Sequence, residues 1–263
     1  VTVVDALRMR DEFASGEDLN RKDIGEEDLA SLVIQQIEFC NIILLNKSSE
    51  VSKEDLEHIR AIIRAIQPKA EIIDCNYCDV DFDKILNTKM FNFDAVATSA
   101  TWIQEVEDAH RDDDDDDEEE EEHHHEHHHE HHHDHDDEGE AEEYGISTFV
   151  YYARRPFNLG LFDEFVATKW PKNVIRAKGM CYFADEYDMC YLFEQAGRQF
   201  NLKKAGEWFV TMPKDELEAL MAQDAQLRHD WDEQYGDRMQ KLVFIGQHLD
   251  KKAITDALDA CLE

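Results

Sequence analysis

Apolar runs alternate with segments of helical periodicity along the first 90 residues of the chain. The run at residues 40–45 is typical of a strand that is buried on both faces of a parallel sheet. Ser52 is a suitable N-cap for a helix that ends before Pro68. The pattern predicts strands at residues 1–6, 40–45 and 70–75, and helices at residues 29–39, 52–66 and 80–86. Because strands and helices alternate, the pattern indicates a parallel α/β sheet.

The last 120 residues have a different order of elements. The pattern predicts strands at residues 148–153, 174–184, 189–195 and 241–247, an extended stretch near Trp208, and helices at residues 159–170, 214–231 and 251–262. The acids that follow Pro213 favour a helix start at that point. The β-α-β-β-α-β order predicts a ferredoxin-like split sheet, an α+β fold with its helices on one face.

Residues 112–143 separate these two parts and contain 20 carboxylates, 10 histidines, one Gly and one Ala. A segment of this composition cannot build a hydrophobic core, so we expect a disordered linker. We therefore predict three regions: residues 1–111, the linker at 112–143, and residues 144–263.

The histidines of the linker are candidate metal ligands because neutral imidazole binds Zn, Ni, Cu and Co, and the neighbouring carboxylates add oxygen donors. They are His123, His124, His125, His127, His128, His129, His131, His132, His133 and His135. An acidic solubilising linker or an internal purification tag are the alternatives. A tag is usually an uninterrupted His run near a terminus, whereas acids interrupt this one.

Charge and composition exclude several classes of function. The formal net charge is −35, of which the linker contributes −20 and the other 231 residues −15. This balance argues against nucleic acid and anionic membrane surfaces and favours cations or basic partners. No apolar run is long enough to span a bilayer and no signal peptide is visible. Six cysteines in a chain of this size indicate reduced thiols in a cytoplasmic protein.

Several short motifs occur in an order that resembles the CobW-like GTPases, a metallochaperone family related to the cobalamin-synthesis protein CobW. They are VTVVDA at residues 1–6, QIEFCNIILLNK at 36–47, QPKA at 67–70, RRPF at 154–157, RAKG at 176–179, EQAG at 194–197 and LVFIG at 242–246. The resemblance implies part of a P-loop GTPase-type sheet at residues 1–111 and a CobW-like domain at residues 144–263. A His-rich insertion between the two domains is itself a recurring feature of the family.

The resemblance implies that Asn46 and Lys47 contact a guanine nucleotide at the carboxyl end of a buried strand, where open α/β sheets bind ligands. The family pattern Asn-Lys-x-Asp has Ser49 in place of Asp, so a carboxylate that would accept bonds from guanine is missing. The 263 residues contain neither the family's Gly-rich phosphate loop nor its Cys-x-Cys-Cys metal site. We therefore expect no GTP hydrolysis by these residues alone.

The first strand has the pattern of a buried strand but begins at Val1, which is not Met. An uncovered apolar sheet edge promotes aggregation. This suggests that the chain is the C-terminal portion of a longer polypeptide, or pairs with a segment that the sequence does not contain.

Other candidate residues carry a weaker signal. Cys75 and Cys78 have the CxxC spacing of a Zn or redox pair, but no His or second CxxC nearby completes four ligands, so a structural role is favoured. Core positions are predicted for Cys181, Cys190 and Cys261, and a local hydrogen bond is favoured over a ligand role for His248. Charged sites could form from Glu194 and Arg198 or from Arg176 and Lys178, but solvated or sheet-edge positions are favoured for these residues.

Two functions fit the sequence. The first is a GTP-dependent metallochaperone that captures Zn, Co or Ni and delivers it to a client metalloprotein or to the cobalt-inserting machinery of cobalamin biosynthesis, as a monomer or homo-oligomer. The second is a non-enzymatic protein that stores metal or docks a partner. The missing phosphate loop and Ser49 favour the second for this chain, and the order of the motifs favours the first for its parent polypeptide.

Overall fold

The computed structural model describes residues 1–13, 24–90 and 144–263. Its strands are β1 (Thr2–Asp5), β2 (Ile42–Asn46), β3 (Glu71–Cys75), β4 (Ile146–Ala153), β5 (Val174–Phe183), β6 (Glu186–Ala196), β7 (Gln199–Glu207) and β8 (Gln240–Gln247). Its helices are α1 (Ala6–Phe13), α2 (Ile24–Glu38), α3 (Lys53–Ile66), α4 (Leu159–Glu164), α5 (Lys214–Gln223), α6 (Ala225–His229) and α7 (Lys251–Asp259). Within these residues, no helix combines the length and apolarity that crossing a bilayer requires.

The first sheet is parallel, as the sequence predicted, and its strand order is β1-β2-β3. The central strand β2 is buried on both faces because one face packs on the helices and the other on Cys75 and its neighbours. Ser52 caps α3 as expected, since its hydroxyl oxygen accepts a bond from the Asp55 N–H. The predicted helix at residues 80–86 is wrong. Only a single 3-10 turn forms, Phe82–Lys84, and Asn87 adopts a positive φ of 56° that cannot continue a helix.

The second sheet is antiparallel, with strand order β4-β8-β5-β6-β7. It has the predicted split arrangement, because β8 lies between β4 and β5 and these two strands are joined through α4. Helices α4 and α7 cover one face through Phe162, Ile254 and Leu258. The predicted helix at residues 214–231 is divided into α5 and α6. Asp224 is extended and its carboxylate caps the next helix at the Leu227 N–H, so the first helix ends there.

The other face of this second sheet packs against the helices of the first. Ile175, Val243 and Ile245 belong to the same buried cluster as Ile37 of α2 and Ile62 of α3. Both α2 and α3 therefore lie between the two sheets, and one continuous core joins residues that are far apart in the sequence. Burial of this kind is the main contribution to stability.

Candidate functional site

The strands of the first sheet all end at one edge, where the chain forms the predicted Asn46-Lys47 turn. Lys47 has a φ of 62°, the left-handed conformation that reverses the chain directly after β2. A single 3-10 turn follows at Ser48–Glu50, and it leads through Ser52 into α3. The two residues predicted to contact a nucleotide thus lie at the carboxyl edge of a parallel sheet, where ligands of such sheets bind.

Lys47 is held by the end of the neighbouring strand. Its ammonium nitrogen lies 2.7 Å from a carboxylate oxygen of Asp5, the last residue of β1. This hydrogen bond raises the pKa of Lys47. Burial acts to raise the pKa of Asp5, but bonds from Lys47 and from the Arg8 N–H outweigh it and the pKa lies below its ordinary value. Both side chains remain partly exposed, so the pair forms an accessible charged rim.

Asn46 connects this turn to the loop after β3. Its amide oxygen accepts a bond of 3.0 Å from the Cys78 N–H, and it lies 3.8 Å from the sulfur of Cys75. This fixes the orientation of the Asn46 side chain. The contact explains how a residue at the end of β2 is positioned by a loop 30 residues later in the chain.

Ser48 and Ser49 attach the turn to the same loop. The Ser48 hydroxyl donates to the Cys75 carbonyl at 3.1 Å. The Ser49 hydroxyl donates to the side-chain oxygen of Asn76 at 2.8 Å, and the Ser49 N–H reaches the same oxygen at 3.2 Å. A hydroxyl that already donates has only lone pairs left, so Ser49 can accept a bond but lacks the two oxygens of a carboxylate.

The CxxC pair belongs to this edge as well. Cys75 is buried, as expected of a structural cysteine, whereas Cys78 is exposed. All six cysteines of the chain are free thiols. Cys181, Cys190 and Cys261 are buried, which confirms the predicted core positions.

A second charged cluster lies between the sheets, where the favoured solvated positions of Arg176 and Lys178 are wrong and the alternative, a charged site, forms. Arg176 and Lys178 are 2% and 0% exposed rather than solvated. Both bind the carboxylate of Glu38 at the end of α2, with 2.7 Å between Arg176 Nη2 and Glu38 Oε2, and Glu194 lies 3.6–3.7 Å from the two cations. Sequence reasoning missed Glu38, because its partners Arg176 and Lys178 lie 138 and 140 residues later in the chain. A cleft of about 250 Å³ opens beside Arg176.

The ten predicted histidine ligands, from His123 to His135, lie outside the described residues. Within the parts of the chain that the structure describes, no group of three or more His, Cys, Asp or Glu side chains has the arrangement of a metal site. His248 donates its backbone N–H to the Gly145 carbonyl at 2.6 Å. Its ring lies near that of His58 on α3, which stacks on Tyr144 with 5.4 Å between the ring centroids.

Two family models match the chain, in the order that the motifs predicted. Residues 1–74 match "CobW/HypB/UreG, nucleotide-binding domain", and residues 146–262 match "Cobalamin synthesis protein cobW C-terminal domain". The chain belongs to the CobW-like GTPase family. The parallel sheet lies within the first match except for its last residue, Cys75, and the antiparallel sheet lies within the second.

A curated relative of this CobW-like chain is the "Zinc-regulated GTPase metalloprotein activator 1" of Dictyostelium discoideum. The two are 30% identical over 270 residues, a region that includes 100% of this chain and 51% of the relative. The chain thus spans about half the length of the curated relative that it matches.

Two solved structures of the YjiA GTPase also match the CobW-like chain, both with Zn(II) bound. One is the protein from E. coli and the other is a triple mutant. Each is 15% identical, and the match covers 99% of this chain and 60% of the solved chain, with a TM-score of 0.37.

Proposed function

We propose that the chain is part of a metallochaperone of the CobW-like type, in which a guanine nucleotide controls the delivery of a metal ion to a client metalloprotein. The observation that carries the proposal is the position of Asn46 and Lys47, in a left-handed turn at the carboxyl edge of the sheet of a family member. The zinc-regulated relative supports zinc as the metal, with cobalt and nickel as further candidates because their ligand preferences overlap.

In this proposal Asn46 and Lys47 contact the base of the nucleotide. The side chain of Asn46 is oriented by the Cys78 N–H, and the ammonium group of Lys47 by Asp5. Preorganised polar groups bind a ligand without a further ordering cost. Ser49 replaces the carboxylate of the family pattern and can accept fewer bonds, so we expect weak discrimination between guanine and other purines.

The histidines of residues 112–143 are the proposed metal ligands, in a linker between a domain at 1–111 and a domain at 144–263. Imidazoles must lose their protons to bind a metal ion. The affinity is therefore expected to fall steeply as the pH drops through the histidine pKa near ~6.5.

Calorimetric titration with Zn²⁺ tests the role of the linker. At pH 7.5 the chain should bind several equivalents, and deletion of residues 112–143 should remove most of them with little change in melting temperature. At pH 5.5 the binding should be strongly reduced. A variant with its ten linker histidines replaced by glutamine keeps the length and the acids, and it controls for non-specific attraction of cations. Equal binding by that variant would refute histidine ligation.

Nuclear magnetic resonance titration with GDP tests the nucleotide contact. Resonances of Asn46, Lys47 and Ser49 should shift, and Asn46→Ala should abolish these shifts. Asn201→Ala, an exposed amide in the second sheet, is the matched control and should behave like the unmodified chain. Shifts that persist in Asn46→Ala would place the nucleotide elsewhere.

A second function, metal storage without nucleotide turnover, is favoured by one observation. Ser49 is engaged with Asn76 where the family pattern has a carboxylate. Metal release measured with and without GTP distinguishes the two functions, since a storage protein would release zinc at the same rate under both conditions.

A further inference from the structure

The carboxyl edge of the first sheet brings together three side chains that sequence spacing alone did not connect. Cys75 ends β3, Cys78 follows it in a tight turn, and Asn46 ends the neighbouring strand β2. The CxxC pair lacked a third ligand in the sequence. The structure supplies an oxygen atom, the side-chain carbonyl of Asn46, which faces both cysteine residues.

The turn that carries Cys78 has an unusual backbone. Tyr77 and Cys78 have φ angles of 57° and 54°, and the Asp79 N–H closes the turn on the Asn76 carbonyl at 3.0 Å. Two successive left-handed residues that are neither Gly nor Asn are uncommon and cost backbone energy. This conformation folds the chain back, so that the Cys78 N–H reaches the same side-chain oxygen of Asn46 that the Cys75 sulfur faces.

The separation of the donor atoms matches a metal ion. The sulfur of Cys75 lies 3.8 Å from the Asn46 oxygen. A tetrahedral ion with metal–sulfur and metal–oxygen bonds of about 2.3 and 2.1 Å separates such a pair by about 3.6 Å. Small side-chain adjustments would therefore be enough to admit the ion.

We propose that Cys75, Cys78 and Asn46 form a binding site for a single thiophilic cation of the Zn²⁺ class. The two sulfur atoms dominate the affinity, the amide oxygen is a weaker third donor, and the fourth position is open to water or to an incoming ligand. Cys75 forms the buried floor of the site and Cys78 its exposed wall, so the ion can enter and leave from solvent.

The electrostatics of this edge favour a cation. Asp79 directly follows the CxxC pair, Asp74 directly precedes it and pairs with Arg60, and the whole chain has a net charge of −35. Thiols must lose their protons to bind a metal ion, so the affinity should increase as the pH rises.

This site is distinct in chemistry from the histidine linker and needs no nucleotide to form, although it shares Asn46 with the proposed nucleotide contact. Thiolate ligands produce an intense near-ultraviolet charge-transfer absorption with Co²⁺ or Cd²⁺, whereas imidazole and carboxylate ligands do not. The absorption therefore reports this site in the full chain, even while the linker holds other ions.

The experiment is a titration of the reduced full chain with Co²⁺ and with Cd²⁺ under argon. We expect a charge-transfer band whose final intensity corresponds to one thiolate-bound ion per chain, after the linker histidines have bound their own equivalents. Cys78→Ser should abolish the band, and this exposed substitution does not threaten the fold. Asn46→Ala should weaken the apparent affinity by at least tenfold while the band remains. Cys190→Ser, in the core of the second sheet, is the matched control and should keep the full band.

The charge-transfer band can also contradict the proposed metal site. A band that persists in Cys78→Ser, or no band in the reduced chain, would overturn the proposal. A stable disulfide between Cys75 and Cys78 under the same reducing conditions would overturn it as well. Circular dichroism on each variant establishes that the fold is intact.

Discussion

Two regions of the molecule hold oppositely charged side chains, and they differ in their exposure. Between the sheets, Glu38, Arg176 and Lys178 are 1%, 2% and 0% exposed. At the carboxyl edge of the first sheet, the side chains of Lys47 and Asp5 are 40% and 34% exposed. Charges that are buried in mutual contact are fixed by one another, whereas exposed charges can exchange partners. The comparison indicates that the interior cluster holds the two sheets together and that the edge is where a ligand can bind.

The largest loss of stability is expected when the interior cluster loses the carboxylate of Glu38. Glu38→Gln keeps the size of the side chain but removes the negative charge that Arg176 and Lys178 bind, and the carboxylate of Glu194 lies farther from both cations. Because breaking a buried pair leaves an uncompensated charge, we expect a loss of about 3 kcal/mol of unfolding free energy. Urea denaturation, monitored by circular dichroism, measures this loss of unfolding free energy.

Glu50→Gln is the matched control, since Glu50 is exposed in the turn after Lys47. Its denaturation midpoint should equal that of the unmodified chain. If Glu38→Gln and Glu50→Gln shifted the denaturation midpoint by the same small amount, the buried cluster would contribute no more to stability than the exposed edge.

A smaller loss of stability, which depends on pH, is expected at the margin of the contact between the two sheets. His58 of α3 has a lowered pKa because burial disfavours its charged form; His248 lowers it further and Asp55 acts in the opposite direction. Tyr144 stacks on the ring, and Gln247 lies 3.5 Å from it.

As the pH falls below about 6.5, His58 is therefore protonated in the unfolded chain before it is protonated in the folded chain. The contribution of His58 to stability is complete above that pH and is lost below it. The urea midpoint of the unmodified chain should drop more between pH 7.5 and pH 5.5 than that of His58→Gln. The linker histidines are present in both chains, so their effect cancels. An identical drop in the two proteins would contradict the prediction.

The smallest change in stability is expected at the exposed carboxyl edge of the first sheet. Lys47→Ala removes the ion pair with Asp5, but solvent screens such pairs and they contribute little to stability. The denaturation midpoint should not change measurably, whereas the nuclear magnetic resonance shifts on addition of GDP should decrease. A loss of stability comparable with that of Glu38→Gln would show that the edge is structural.

The sequence predicted the position of the edge because its determinants are local. An apolar strand followed by Asn46-Lys47, and the Ser52 cap of α3, depend on neighbouring residues, and the structure confirms these elements. The break at Asp224 is also local, but a carboxylate within a helical pattern does not reveal that it will cap a second helix.

The interior cluster could not be predicted, because it depends on contacts over long distances along the chain. Glu38 and Lys178 are 140 residues apart and meet only once the second sheet has packed on α2. The link between Asn46 and Cys78 spans 32 residues and depends on the register of β2 and β3. Charged side chains are usually exposed, so composition alone favoured a solvated position for Arg176 and Lys178.

Asn46 has a single amide oxygen, and in the structure that oxygen is already bonded to the Cys78 N–H. A metal ion that bound this oxygen would displace the bond, and the Asn46 side chain would lose the orientation in which it is proposed to contact a purine. Such antagonism is reciprocal, so each ligand would lower the affinity for the other by the same factor. Metal binding at the cysteine pair would then weaken nucleotide binding at the same edge, and this coupling would need no movement of the second sheet.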